Sequence, residues 1–148
     1  MVPKKATTPG PARRFHPPAG LFLPVLLFAC ALPPVQSLPL HVPIPDTGLA
    51  LRSCLEAIQD HFPRMASLSE RHLVSTWVSG DRSGYPVRRR LRIAARPEGA
   101  GSRLEVMVEI LRVGLTPFSS PRWEKGGQDR EMEERIVQLL RESLDSGV

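Results

Sequence analysis

Cysteine is scarce in this chain, with Cys30 and Cys54 the only two in 148 residues. If Cys30 is modified or cut away, no intrachain disulfide can form, and the fold must stand on apolar burial. Histidine is nearly as sparse. No two of His16, His41, His61 and His72 stand four apart and no cysteine pair accompanies them, so no metal site and no cofactor are expected. A membrane-spanning run is missing as well. The apolar stretch at residues 21–31 is 11 residues long and contains Pro24, against the roughly 20 apolar residues that a spanning helix needs. Acid is absent from the front of the chain, where no Asp or Glu precedes Asp46.

That last absence gives the front its character. Lys4, Lys5, Arg13 and Arg14 form a basic region ahead of the apolar run, which is the layout of an export signal. Arg13-Arg14-Phe15 invites a twin-arginine reading that its flanking residues do not support. Leu27-Phe28-Ala29-Cys30 resembles the lipobox of bacterial lipoproteins, which has Leu three before the Cys and a small residue just before it; Phe28 stands where a smaller residue is usual. The resemblance implies lipidation of Cys30. Two ordinary cleavage patterns compete with it, Ala29-Cys30-Ala31 and Val35-Gln36-Ser37. Residues 1–30 are thus expected to be a signal peptide. The protein would be anchored in the cell-envelope membrane through Cys30, or periplasmic or secreted if cut after Ala31 or Ser37.

The signal also explains the charge. The formal net charge is +5, yet residues 1–45 hold four basic side chains and no acid, and the rest nets only +1. A basic balance that belongs to a signal is no sign of a nucleic-acid partner, and none is expected. Eleven of the 16 prolines precede residue 46. Residues 31–46 read as a proline-rich tether or an edge strand, with an added strand open at residues 38–44, because proline fixes φ and donates no hydrogen bond.

Residues 47–146 are expected to form a single α+β domain. Asp46 caps a helix whose apolar face is Leu51, Cys54, Leu55, Ile58 and Phe62, ended by Pro63. Cys54 on that face reads as a buried small hydrophobe. A first strand covers Leu73 to Val78 and closes at residues 80–84. Two alternating strands follow. In one, Val87, Leu91, Ile93 and Ala95 oppose Arg88, Arg90, Arg92 and Arg96, with Arg89 breaking the apolar set; in the other, Leu104, Val106, Val108 and Ile110 oppose Arg103, Glu105 and Glu109. A turn centred between Gly99 and Ala100 makes them a hairpin in which Ile93 meets Val106, Leu91 meets Val108 and Arg90 meets Glu109. Residues 115–128 read as a long connection carrying Phe118 and Trp123. Asp129 caps the last helix, with Glu131, Glu133 and Glu134 in its first turns and Met132, Ile136, Leu139, Leu140 and Leu144 on its apolar face. The expected architecture is a two-layer sandwich, α-β-β-β-α, with two helices on one face of an antiparallel sheet of three or four strands.

Two surfaces are candidates for function. The row Arg88, Arg90, Arg92 and Arg96 is a candidate anion face, or a solvated face paired with Glu105 and Glu109. Phe118 and Trp123 are candidate partner contacts, since exposed aromatics anchor interfaces. No catalytic residues are assigned. Asp60, His61, Ser67 and Ser69 lack a nucleophile-elbow pattern, and Gly99-Ala100-Gly101 lacks the residues of a phosphate loop.

With its lipobox-like end, tether and element order, the chain resembles small envelope lipoproteins of bacteria over about residues 27–146. The arrangement is most similar to the LPS-assembly lipoprotein that plugs an outer-membrane barrel, and more loosely to the BAM-complex accessory lipoproteins. This implies a non-catalytic binding or scaffolding domain, held at the membrane by Cys30 and contacting a protein partner. A small secreted hydrolase or ligand carrier, and an anion-binding module, are the alternatives.

Overall fold

The computed structural model describes residues 35–114 and 120–146, with Gly10 and Phe118 described singly. The elements in chain order are β1 (Leu38–Val42), α1 (Thr47–Ile58), β2 (Met65–Leu68), β3 (His72–Ser75), β4 (Val78–Arg82), β5 (Tyr85–Glu98), β6 (Gly101–Gly114), β7 (Arg122–Gln128) and α2 (Arg130–Asp145). They form one antiparallel sheet of seven strands with two helices. The expected sandwich on three or four strands is therefore overturned, and the fold is mostly sheet.

The spine is the hairpin of β5 and β6, each 14 residues long. Its register pairs Ile93 with Val106, Leu91 with Val108 and Arg90 with Glu109, as the alternation requires. Only Gly99 and Ala100 lie between the paired Glu98 and Gly101, and Gly99 takes φ of 60°. Positive φ at the first central residue is the type II′ geometry that matches strand twist, and glycine reaches it without a Cβ clash.

Both edges of the spine are shared by two short strands. Along β6, β1 pairs with residues 102–106 and β7 with residues 109–114. Along β5, β3 pairs with residues 92–94 and β4 with residues 85–89, while β2 adds outside β3. The strand expected at Leu73 to Val78 is thus two strands, broken at Thr76 and Trp77. β2 and β7 were not expected: β2 is four residues long, and β7 is polar and carries a Gly126-Gly127 bulge with φ of 87° at Gly127. Leu38–Val42 is a strand that buries Leu40 and Val42.

Each edge is interrupted at the same level, that of the Leu91–Val108 pair, and a side chain supplies the missing backbone partner at each. On the β5 edge, Leu91 N donates to the buried hydroxyl of Ser75 at 2.9 Å. On the β6 edge, Val108 N donates to Glu133 Oε1 at 2.9 Å and Val108 O accepts from Asp129 N at 2.9 Å. Buried N–H groups are costly to leave unpaired, so these contacts let the spine run through both gaps.

The core lies on one face of the spine. Leu91, Ile93, Ala95, Leu104, Val106 and Val108 pack with α1 residues Leu51, Cys54 and Ile58 and α2 residues Ile136, Val137 and Leu140. Asp46 caps α1 by accepting from Leu49 N at 2.8 Å, and the helix ends at Ile58, ahead of Pro63. In α2 the fully buried stripe is Glu133, Ile136 and Leu140, whereas Met132, Leu139 and Leu144 are only partly buried. Among the described residues, no helix is long and apolar enough to cross a membrane.

Candidate functional site

Strict alternation along β5 places Arg88, Arg90, Arg92 and Arg96 on the face of the sheet opposite the core. From β6, the same alternation places Arg103, Glu105, Met107 and Glu109 there. Arg90 Nε donates to Glu109 Oε2 at 2.7 Å and Arg92 Nη1 to Glu109 Oε1 at 3.1 Å. Arg96 stands 3.3 Å from Glu105, which it shares with Arg103 at 3.6 Å.

Two indoles complete this face. The Arg88 guanidinium lies 4.4 Å from the centre of the Trp123 ring, and that of Arg90 lies 4.5 Å from the centre of Trp77. Arginine stacked on an indole gains from the ring's negative face and keeps its N–H groups free in the plane. Trp77 was expected only as a strand residue; it sits instead in the gap between β3 and β4, which lets its ring turn over the arginines. Trp123 lies on β7, opposite Val113, so the residue expected in a connection is held on a strand. Val35, Trp77, Arg90, Arg92 and Met107 line a shallow groove of about 350 Å³ on this face. Phe118 is 99% exposed, and Cys30 lies outside the described residues.

Electrostatics on the face favour paired charge. Partial burial pushes the Glu109 carboxyl up, but hydrogen bonds and charge from Arg90 and Arg92 outweigh it, leaving Glu109 below its ordinary 4.5. A depressed folded pKa means that the group stabilises the fold above that value and loses the contribution as pH falls through the lower, folded one. Glu109→Gln is accordingly expected to cost up to about 1 kcal/mol near neutrality, the range of part-exposed pairs. The difference from wild type should vanish in urea unfolding well below pH 4.5. A constant difference across that range would show that the two arginines do not hold the carboxylate.

Two of the nucleophilic side chains, Ser69 and Cys54, have structural work. Ser69 accepts from His72 N at 3.0 Å and donates to His72 O, which closes the β2–β3 turn. Cys54 is fully buried, its thiol donates to Ala50 O at 3.1 Å, and burial pushes it up to about 12, so it is held as an inert thiol. Among the described residues, no three His, Cys, Asp or Glu side chains are placed to hold a metal ion.

Three charged residues on the core side carry weight that sequence reasoning did not assign. Arg89, the break in the apolar set, is explained by Asp129: Arg89 Nε lies 2.6 Å from Asp129 Oδ2, with the two side chains 16% and 4% exposed. Glu133 is fully buried and also accepts from Gln128 at 3.0 Å and Arg130 at 3.1 Å. Its place one turn before Ile136 and two before Leu140 was the available signal, since that spacing puts it on the buried stripe. Gln128 and Arg130 also donate to Gln36 O, which ties the entry of the chain into the domain to the start of α2. Compared with protein-family models and with curated proteins, the chain finds no match in either.

Proposed function

We propose that the chain is an exported, lipid-anchored envelope protein that works as a non-catalytic binding domain, with the open face of the sheet as its contact surface. The observation that carries the binding half is the division of the sheet. Both helices pack with the core on one face, while the other presents arginines stacked on two indoles, with Trp77, Arg90 and Arg92 lining a shallow groove. Such a face offers flat aromatic area and fixed cations, the residue types that anchor interfaces. Ser69 and Cys54 are committed to a turn and to the core.

The export half rests on residues 1–30, with their basic start, apolar run and Leu27-Phe28-Ala29-Cys30 ending. Intact mass of the mature protein from the membrane fraction tests it, with Cys30→Ala as control. A chain beginning at Cys30 and carrying a diacylglyceryl group is the expected result. A mass beginning at Ala31, Leu32 or Leu38 would remove the anchor and leave a periplasmic or secreted domain.

A further inference from the structure

Resting on the anchored reading, we infer that the open sheet face docks flat on the headgroup layer of an anionic phospholipid bilayer. The first reason is reach. Chain enters the described fold at Val35, five residues after Cys30, and five extended residues span at most about 18 Å. Val35 itself lines the groove with Trp77, Arg90, Arg92 and Met107. A lipid on Cys30 therefore keeps the domain within reach of the bilayer, and the point where the chain enters the fold borders this face.

Charge is the second reason. On the open face of the hairpin, Arg88, Arg90, Arg92, Arg96 and Arg103 stand against Glu98, Glu105 and Glu109, and Lys125 of β7 lies in the groove beside them. The excess is positive even after every ion pair has formed. Arg88 has an indole beside it and no carboxylate among the described residues. An anionic bilayer attracts basic residues held within a Debye length of it. Tryptophan is the third reason, because an indole has an apolar ring and one N–H donor and so favours the headgroup level. Trp77 and Trp123 both border this face, alongside Met107 and the 69%-exposed Val35.

Those two are the only tryptophans in the chain, so indole fluorescence reports this face alone. The protein purified from membranes is reconstituted into phosphatidylcholine vesicles with or without phosphatidylglycerol, each doped with a headgroup spin label. Flotation measures the anchor and quenching measures docking. Quenching is expected only with phosphatidylglycerol. It should fall about threefold or more when salt shortens the Debye length to about 3 Å, and likewise in Arg88→Gln/Arg92→Gln, whose fold is checked by circular dichroism. Flotation without lipid-dependent quenching would overturn docking while leaving the anchor standing. Loss of flotation would overturn both. Indoles shielded from iodide without lipid, and more so at higher protein concentration, would assign the face to a second copy and overturn the proposal. The wild-type comparison of the two vesicle compositions decides the matter even if the double variant does not fold.

Discussion

Asp129→Ala is expected to lower the unfolding free energy by about 3–5 kcal/mol, the cost of leaving a buried charge without its partner. The residue does two jobs. Its Oδ2 lies 2.6 Å from Arg89 Nε in a site where both side chains are largely shut from water, and its Oδ1 caps α2 by accepting from Met132 N at 3.3 Å. Losing the cap alone costs about 1 kcal/mol, so the greater part should come from the stranded Arg89 guanidinium. Asp129→Asn separates the two, because it keeps a capping oxygen and discards the charge; it should fall between wild type and Asp129→Ala. Arg89→Met is the complementary test. Apolar replacement of a buried pair is often close to neutral, so Arg89→Met with Asp129→Ser, which retains a cap, should recover most of the stability lost in Asp129→Ala. Urea midpoints of the four variants measure this. Additive single effects, with no coupling between positions 89 and 129, would show that the pair is not the source of the loss.

The pair also marks the boundary between what the chain spells out and what only packing reveals. Strands β5 and β6 were legible because each alternates with period two over a long stretch, and a two-residue glycine turn leaves one register that satisfies both faces. The Arg90–Glu109 contact followed from that register alone. Arg89 could be seen as an exception, but its partner lies 40 residues on, and nothing in the local pattern points to it. The strand count failed for a different reason. β7 is RWEKGGQ, with Trp123 its one large apolar residue and a bulge at its glycines, and β1 carries Pro39; edge strands lean on a neighbour's ladder more than on their own apolar periodicity. The break at Thr76 and Trp77 is invisible in the sequence, because β-branched and aromatic residues there suit a continuous strand equally well. Yet that break is what turns Trp77 over Arg90 and frees Leu91 N for Ser75. The open face was therefore half legible: its arginine row could be read from β5 alone, and its indoles could not be placed without the strands that hold them.

The second large effect is expected at Glu133. Glu133→Ala should cost about 2–4 kcal/mol, since it strands the buried N–H of Val108 and removes a charged acceptor, losses of about 1–3 kcal/mol for an unpaired donor and about 1.5–3 for a charge-assisted bond that overlap rather than add. The carboxylate is completely buried, yet it is not isolated: Val108 N, Gln128 Nε2 and Arg130 Nη1 all donate to it, at 2.9, 3.0 and 3.1 Å. Three donors converging on two oxygens are what makes a buried anion tolerable. Glu133→Gln should be milder, because its carbonyl oxygen can still accept from Val108 while its amide can no longer satisfy the other donors. The two variants are told apart by amide exchange as well as by urea midpoints. In Glu133→Ala the Val108 amide should lose protection selectively, ahead of Val106 in the same strand, because β6 at that level has no edge strand to take the hydrogen bond. Uniform loss of protection along β6 would instead mean that α2 had detached as a unit, and that Glu133 acts as a packing residue of the helix rather than as the missing rung of the ladder.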